Sequence, residues 1–249
     1  MLDIFRVDLG ETMIGEFRVI ELSFDLFPGQ EEYTLAVKNK AVREMLPYYE
    51  DKVPKDEWYV MSEVFLWSHV GTHIEVPLHH IENGMDCADL PLDRVVGEAC
   101  LVDFTNKSLF EAITKEEIVK RGSHIREGDI VFIRTGLDSF YRTPRSHDRP
   151  YLETDAVAWL VENNKIACLG VDCSGIEKRN EPEQPNHKLL FRNGIPLIEH
   201  LAHLDQLTQE RFYIIAVPLR IHGLDACPVS VIAIESQSTK REDVNKESA

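Results

Sequence analysis

Three histidines and a glutamate recur at even spacing in the run HVGTHIEVPLH: His69, His73, Glu75 and His79. Imidazole nitrogens and carboxylate oxygens hold divalent metal ions, and imidazole also moves protons near neutral pH. Side chains alternate along an extended chain, so all four would project from one face. A helix would have to contain Gly71, Thr72, Ile74, Val76 and Pro77, a poor set of helix formers, and the run is read as a strand. A straight strand rises ~3.3 Å per residue and would hold His69 and His79 roughly 33 Å apart. Metal–nitrogen bonds are only about 2 Å long. The chain must therefore bend, most easily at Gly71 and Pro77, and gather the four groups around a pocket. One such histidine alone reads as a satisfied polar residue at a strand edge. Three with a glutamate in phase point to metal or proton chemistry.

A second cluster, His187 and Glu199 in NHKLLFRNGIPLIEHL, could complete the shell. His187 to Arg192 reads as a short helix, Asn193-Gly194 as its stop and Ile195 to Ile198 as a buried strand. His187 then sits near the helix start and Glu199 at the strand end, with His200 and His203 as nearby competitors. Asp172 and Glu177 in GVDCSGIE read as turn residues, and Asp225 in HGLDACP as a loop brace. Trp58, Trp67 and Trp159 read as core or interface residues. Cys227 lies in a loop-like LDACPV with no identifiable base beside it, and no GxSxG elbow occurs, so nucleophilic catalysis is the weaker reading.

These groups must be positioned by a chain of 249 residues, long enough to bury a sizeable core. The formal charge of −16 argues against nucleic acid as a partner. No apolar run approaches the ~20 residues needed to span a bilayer, and MLDIFRVDLGETM lacks a secretory pattern, so a cytoplasmic location is expected. The five cysteines show no CxxC pair and read as reduced, buried thiols. Strands are expected at residues 17–23, 59–68, 99–104, 130–135, 167–171, 195–198, 213–219 and 229–234. Helices are expected around 39–46, from a Thr114/Glu117 capping box to about 120, and over 155–162. The pattern predicts one α/β domain over residues 1–235 with a mixed, curved or barrel-like sheet. Residues 236–249 form a polar run that reads as a disordered tail.

The eleven-residue run resembles the signature HxGTHxDxPxH of the metal-dependent cyclase family, which includes kynurenine formamidases and isatin hydrolases. ELSFDLFPG, IVFIRTG, LGVDCSGIE, HKLLFRNGIPLIE and PLRIHGLDACPV extend the resemblance, in order, over nearly residues 17–235. It implies a swivelling β/β/α fold, a homodimer or homotetramer, and hydrolysis of a C–N bond in a small amide, formamide or lactam, as in arylformamidases. It also implies one or two divalent ions, zinc or manganese. By matching positions, His69, His73 and Glu75 would hold a first ion. Glu75 and Glu199 would bridge to a second, which His187 also holds, and His79 would be the general acid/base. Glu75 stands where the family has aspartate, and Tyr33 where a tryptophan contacts substrate; His80 replaces a frequent aromatic residue. A ring-forming or ring-opening cyclase or dehydratase, and a non-catalytic metal or small-ligand binding module, are the alternatives.

Overall fold

The computed structural model describes residues 12–236. The polar run expected over 236–249 lies outside the described residues apart from Ser236, which closes the last strand. The chain opens with a hairpin of β1 (Thr12–Ile14) and β2 (Phe17–Glu21). A second hairpin follows, with β3 (Leu35–Ala41), the single-turn α1 (Val42–Met45) and β4 (Val60–Leu66). Then come β5 (His73–Glu75), β6 (Val96–Asp103), β7 (Ala112–Ile113), α2 (Lys115–Arg121) and β8 (Ile130–Arg134). The remainder is β9 (Tyr151–Leu152), α3 (Thr154–Glu162), β10 (Cys168–Val171), α4 (Pro185–Arg192), β11 (Leu197–Glu199), β12 (Arg211–Ile215), β13 (Ala226–Pro228) and β14 (Ile232–Ser236).

Ten strands form one mixed sheet in the order β1-β2-β14-β12-β6-β8-β10-β11-β5-β13. β6, β8, β10 and β11 run parallel, and the strands on either side are antiparallel to their neighbours. The parallel centre is buried on both faces, as its continuous apolar runs require. In β8, Ile130 and Phe132 enter one core while Val131 and Ile133 enter the other. The second core is closed by α2, α3 and α4 through Ile118, Leu160 and Leu190. The first gathers Ile20 of β2, Ala233 of β14, Ile74 of β5 and Cys227 of β13. Residues from both ends of the sheet thus share one core, so the sheet curls. It does not close into a barrel, because β1 and β13 each keep one unpaired side among the described strands.

The Thr114/Glu117 capping box forms as expected and starts α2. Three other expectations shift. The helix expected over 39–46 shrinks to Val42–Met45, since Leu35–Ala41 pairs in full register with β4 and Lys40 ion-pairs with Glu63 across it. The strand expected over 213–219 ends at Ile215, before Pro218, which cannot donate to a ladder. The strand expected at 229–234 lies at Ile232–Ser236, a register that buries Ala233. Trp159 packs on the helix-side core, whereas Trp58 and Trp67 are 80% and 55% exposed and not core residues. No helix among the described residues is long and apolar enough to cross a membrane.

One ion pair ties the antiparallel wing to the parallel centre. Arg211 of β12 donates to both oxygens of buried Asp129, at 2.6 and 2.8 Å, just before β8. Asp129 also accepts from the Arg126 backbone N–H. Arg211→Ala strands that carboxylate without its main partner and should lower stability by about 2–4 kcal/mol, discounted for the partial exposure of the guanidinium. Urea unfolding checks this; a loss below about 1 kcal/mol would make the pair incidental.

Candidate metal centre

β5 supplies the first two donors. His73 and Glu75 alternate with Ile74, so both face away from the core that Ile74 fills. The bend expected at Gly71 is present: the residue has φ +65°, a conformation that favours glycine, and a side chain there would displace the end of Leu26. It turns His69 back toward β5. Pro77 starts a 3-10 turn, Pro77–His79, which brings His79 to the same side. The run is therefore a three-residue strand between two turns rather than one bent strand.

β11 pairs antiparallel with β5, placing Glu199 directly opposite His73. His187 reaches the cluster from the first turn of α4. All six expected groups converge. One Glu75 oxygen, Oε1, lies 3.2 Å from His69 Nε2, 3.6 Å from His73 Nε2 and 3.8 Å from His79 Nε2. The other, Oε2, lies 3.4 Å from His187 Nε2. Glu199 lies 3.8 Å from His73 Nε2 and 3.5 Å from His187 Nε2. Three sets of candidate metal donors meet here: His69–His73–Glu75 and Glu75–His187–Glu199, which share Glu75, and His69–His79–Asp225 toward the opening.

Each of these imidazoles is held from behind through Nδ1. His69 meets Ser68 Oγ at 3.0 Å, His73 the Gly71 carbonyl at 2.8 Å, His79 Asp225 at 2.9 Å and His187 Glu177 at 3.0 Å. Every Nε2 is thereby turned inward, the arrangement that orients histidines toward a metal. The Nε2 atoms of His69 and His73 and Oε2 of Glu75 are buried without a hydrogen-bond partner. Buried polar atoms rarely stay unsatisfied, and here all three belong to the one cluster.

Charge tells the same story. Burial would raise the Glu75 carboxyl, but His187, His69 and His73 outweigh it and hold it well below the usual range. Burial likewise opposes charge on His187, yet Glu177, Glu199 and Glu75 drive it up to about 11. The cage lacks positive charge, and its carboxylates favour the protonated forms of His73, His79 and His187. A divalent cation meets that need with the hard oxygen and imidazole donors present.

Glu177 and Asp225 are the functional positions that sequence reasoning passed over. Glu177 is no mere turn residue, since one oxygen accepts from the backbone N–H groups of Asn186 and His187 and from the His187 ring. Asp225 does more than brace a loop: its bond to His79 holds its own carboxyl down to about 2. Asp172 keeps the expected turn role, accepting from Thr135 and Gly136. His200 is buried, and burial with the nearby His73 lowers it to about 3, leaving it neutral beside the cluster. His203 is exposed and outside it. His80 packs between His79 and His187, with ring centres 4.7 and 5.5 Å away.

The cluster floors a cavity of about 310 Å³, also lined by Tyr33, Trp67, Arg149 and Gln184. Tyr33 and Trp67 stack at 5.9 Å. All five cysteines are buried, and burial lifts each thiol, Cys227 included, above its ordinary value.

A family model described as "Putative cyclase" matches residues 12–178. The chain belongs to this cyclase family. Among curated relatives, the kynurenine formamidase of Bacillus mycoides (strain KBAB4) is 30% identical over 165 residues, 66% of this chain and 75% of the relative. A solved structure titled as a predicted metal-dependent hydrolase from Bacillus stearothermophilus is 26% identical, with a TM-score of 0.69, covering 88% of this chain and 99% of that one. Isatin hydrolase A from Ralstonia solanacearum shares the fold, with a TM-score of 0.72 over 88% of this chain and 92% of that one at 20% identity.

Within this cyclase-family site, Glu177→Gln should weaken metal retention by about 10- to 100-fold while leaving the fold intact. Competition with a chelator measures it. Unchanged retention would mean that α4 alone orients His187.

Proposed function

We propose that the chain is a metal-dependent amidohydrolase that cleaves the C–N bond of a small amide, formamide or lactam, in the manner of arylformamidases. The observation that carries this reading is the convergence of four inward-turned imidazoles on Glu75 and Glu199 at the base of a small cavity. The names of the relatives, kynurenine formamidase and isatin hydrolase, belong to the same class of reaction.

By position, His69, His73 and Glu75 would hold one ion, and Glu75, His187 and Glu199 a second, with zinc or manganese suiting the donors. A bound divalent ion acidifies water and polarises a carbonyl. The chain's own residues supply the rest. His79 is less buried than His73 and His187, and its Nε2 faces the cavity. Asp225 fixes its tautomer by accepting from Nδ1 and stabilises the imidazolium form. His79 thus holds the proton that the departing nitrogen needs, since an amide anion is a poor leaving group. The stacked pair of Tyr33 and Trp67 offers a flat aromatic wall to a planar substrate. A cytoplasmic setting accords with five unpaired buried thiols, and the family resemblance supports a homodimer or homotetramer as the working unit.

His79→Ala should keep its metal and lose about 10²- to 10⁴-fold in turnover on formanilides or lactams, with products heavier than substrate by one water. Normal turnover in that variant would remove His79 from proton transfer. Protein purified without added ions should carry close to two ions per chain by inductively coupled plasma mass spectrometry. A ratio of one would make Glu75 a terminal ligand rather than a bridge.

A further inference from the structure

Each acid that lines the cavity has a partner of its own. Glu32 lies 2.7 Å from His147 Nε2, and Glu177 accepts from the His187 ring and from two backbone N–H groups. Glu75 and Glu199 face the imidazoles of the cage. Arg149 is the one lysine or arginine among the described residues of this lining, and its partners are of another kind. Its Nε donates to the Gly175 carbonyl at 2.9 Å, and its Nη1 to the His147 carbonyl and to Ser174 Oγ, both at 3.2 Å. All three acceptors are neutral. Among the described residues no carboxylate forms an ion pair with it.

The guanidinium is firmly placed. Arg149 precedes Pro150, which confines its backbone to extended conformations, and its carbonyl accepts from the Phe110 N–H at 2.9 Å. Ser174 Oγ is itself fixed by donating to the Ser146 carbonyl at 2.9 Å. These contacts occupy the N–H groups of Nε and Nη1 and leave those of Nη2 with no acceptor among the described residues. Nη2 borders the small space that Gly175 leaves open. A side-chain carbon at Gly175 would lie 3.1 Å from Nη2 and 2.8 Å from Glu199 Oε1. The unused edge of the guanidinium therefore adjoins the cage at the floor of the cavity, not its mouth.

A half-buried cation without a carboxylate partner costs free energy to keep. The whole chain carries a formal charge of −16 and repels anions, so an anionic substrate needs a dedicated cation at its seat. We propose that Arg149 is the specificity-determining residue of this site, and that the substrate is a planar amide carrying a carboxylate beside its scissile bond. A carboxylate oxygen at Nη2 accepts charge-assisted hydrogen bonds, which are stronger than neutral ones and fixed in direction by the planar guanidinium. Because Nη2 adjoins the cage, that carboxylate sits on the same small ring as the amide and not on a distant arm. Tyr33 and Trp67 offer their stacked faces to the ring. Hydrolysis adds water across the C–N bond and leaves the carboxylate unchanged. This names the substrate class of the hydrolase proposed above and rests on that reading.

Calorimetric titration of the metal-loaded full chain with benzoate, and with benzamide as its neutral isostere, reads the subsite without any turnover. Wild type should bind benzoate about 10- to 100-fold more tightly than benzamide. Arg149→Gln should erase that preference, and Arg149→Lys, which keeps the charge but not the fork, should retain part of it. The matched pair N-formylanthranilate and formanilide carries the test into hydrolysis, where the ratio of their kcat/KM values should fall by a similar factor in Arg149→Gln. Wild type that binds benzamide as tightly as benzoate would overturn the subsite, whether or not the variants fold. A preference that survives Arg149→Gln would also overturn it and place the anion on the cage. Loss of metal in that variant with the preference intact would do the same, making Arg149 a positioning residue for Glu199. Failure of the hydrolase reading looks different: neither amide is cleaved, while the benzoate preference and its dependence on Arg149 stand.

Discussion

Glu75 is the constraint around which the site is built. It is 3% exposed, and each of its oxygens faces a different set of imidazoles. A carboxylate taken this far out of water must be compensated by positive charge and hydrogen bonding. Protons on the surrounding histidines satisfy that demand in one way and a cation in another. The backing bonds on every Nδ1 decide between them geometrically, because they leave the inward nitrogens with lone pairs aimed at shared points. The protein has invested its hydrogen bonds in orientation rather than in neutralising the cage.

That orientation is inherited from strand register. β5 is three residues long, yet it lies between β11 and β13 and has ladder partners on both sides. Ile74 anchors it in the core while His73 and Glu75 point away. A slip of one residue would exchange Ile74 for the two donors, so the core and the site fix each other's alignment. Gly175 adds a local condition. At φ +122° it leaves open a space bounded by Glu199 Oε1 and the Arg149 guanidinium, which any side chain there would fill.

Much of this was readable from the linear chain wherever the signal was local. The even spacing of His69, His73, Glu75 and His79 announced a shared face, and Gly71 and Pro77 announced where it bends. Thr114 and Glu117 marked a helix start because a capping box spans only four residues. Glu177 and Asp225 escaped for the opposite reason. Asp225 meets His79 across 146 positions, and nothing adjacent in sequence distinguishes it from an ordinary loop acid. The β3–β4 arm was misread in part as helix because its lysines break the apolar alternation. Its strands are defined by each other, and that pairing is invisible to a window covering one of them. The curl of the sheet likewise depends on which strands share a core.

The ladder around β5 also bears on how the chain folds. Its partners, β11 and β13, are made more than a hundred residues later in synthesis. During translation, His73 and Glu75 therefore emerge long before the strands that flank them. Contacts of such separation are slow to form, because loop closure must precede any gain from pairing. The cage is complete only once these distant strands have paired, so a nascent chain ending before α4 offers ions no more than the separate donors of one short segment.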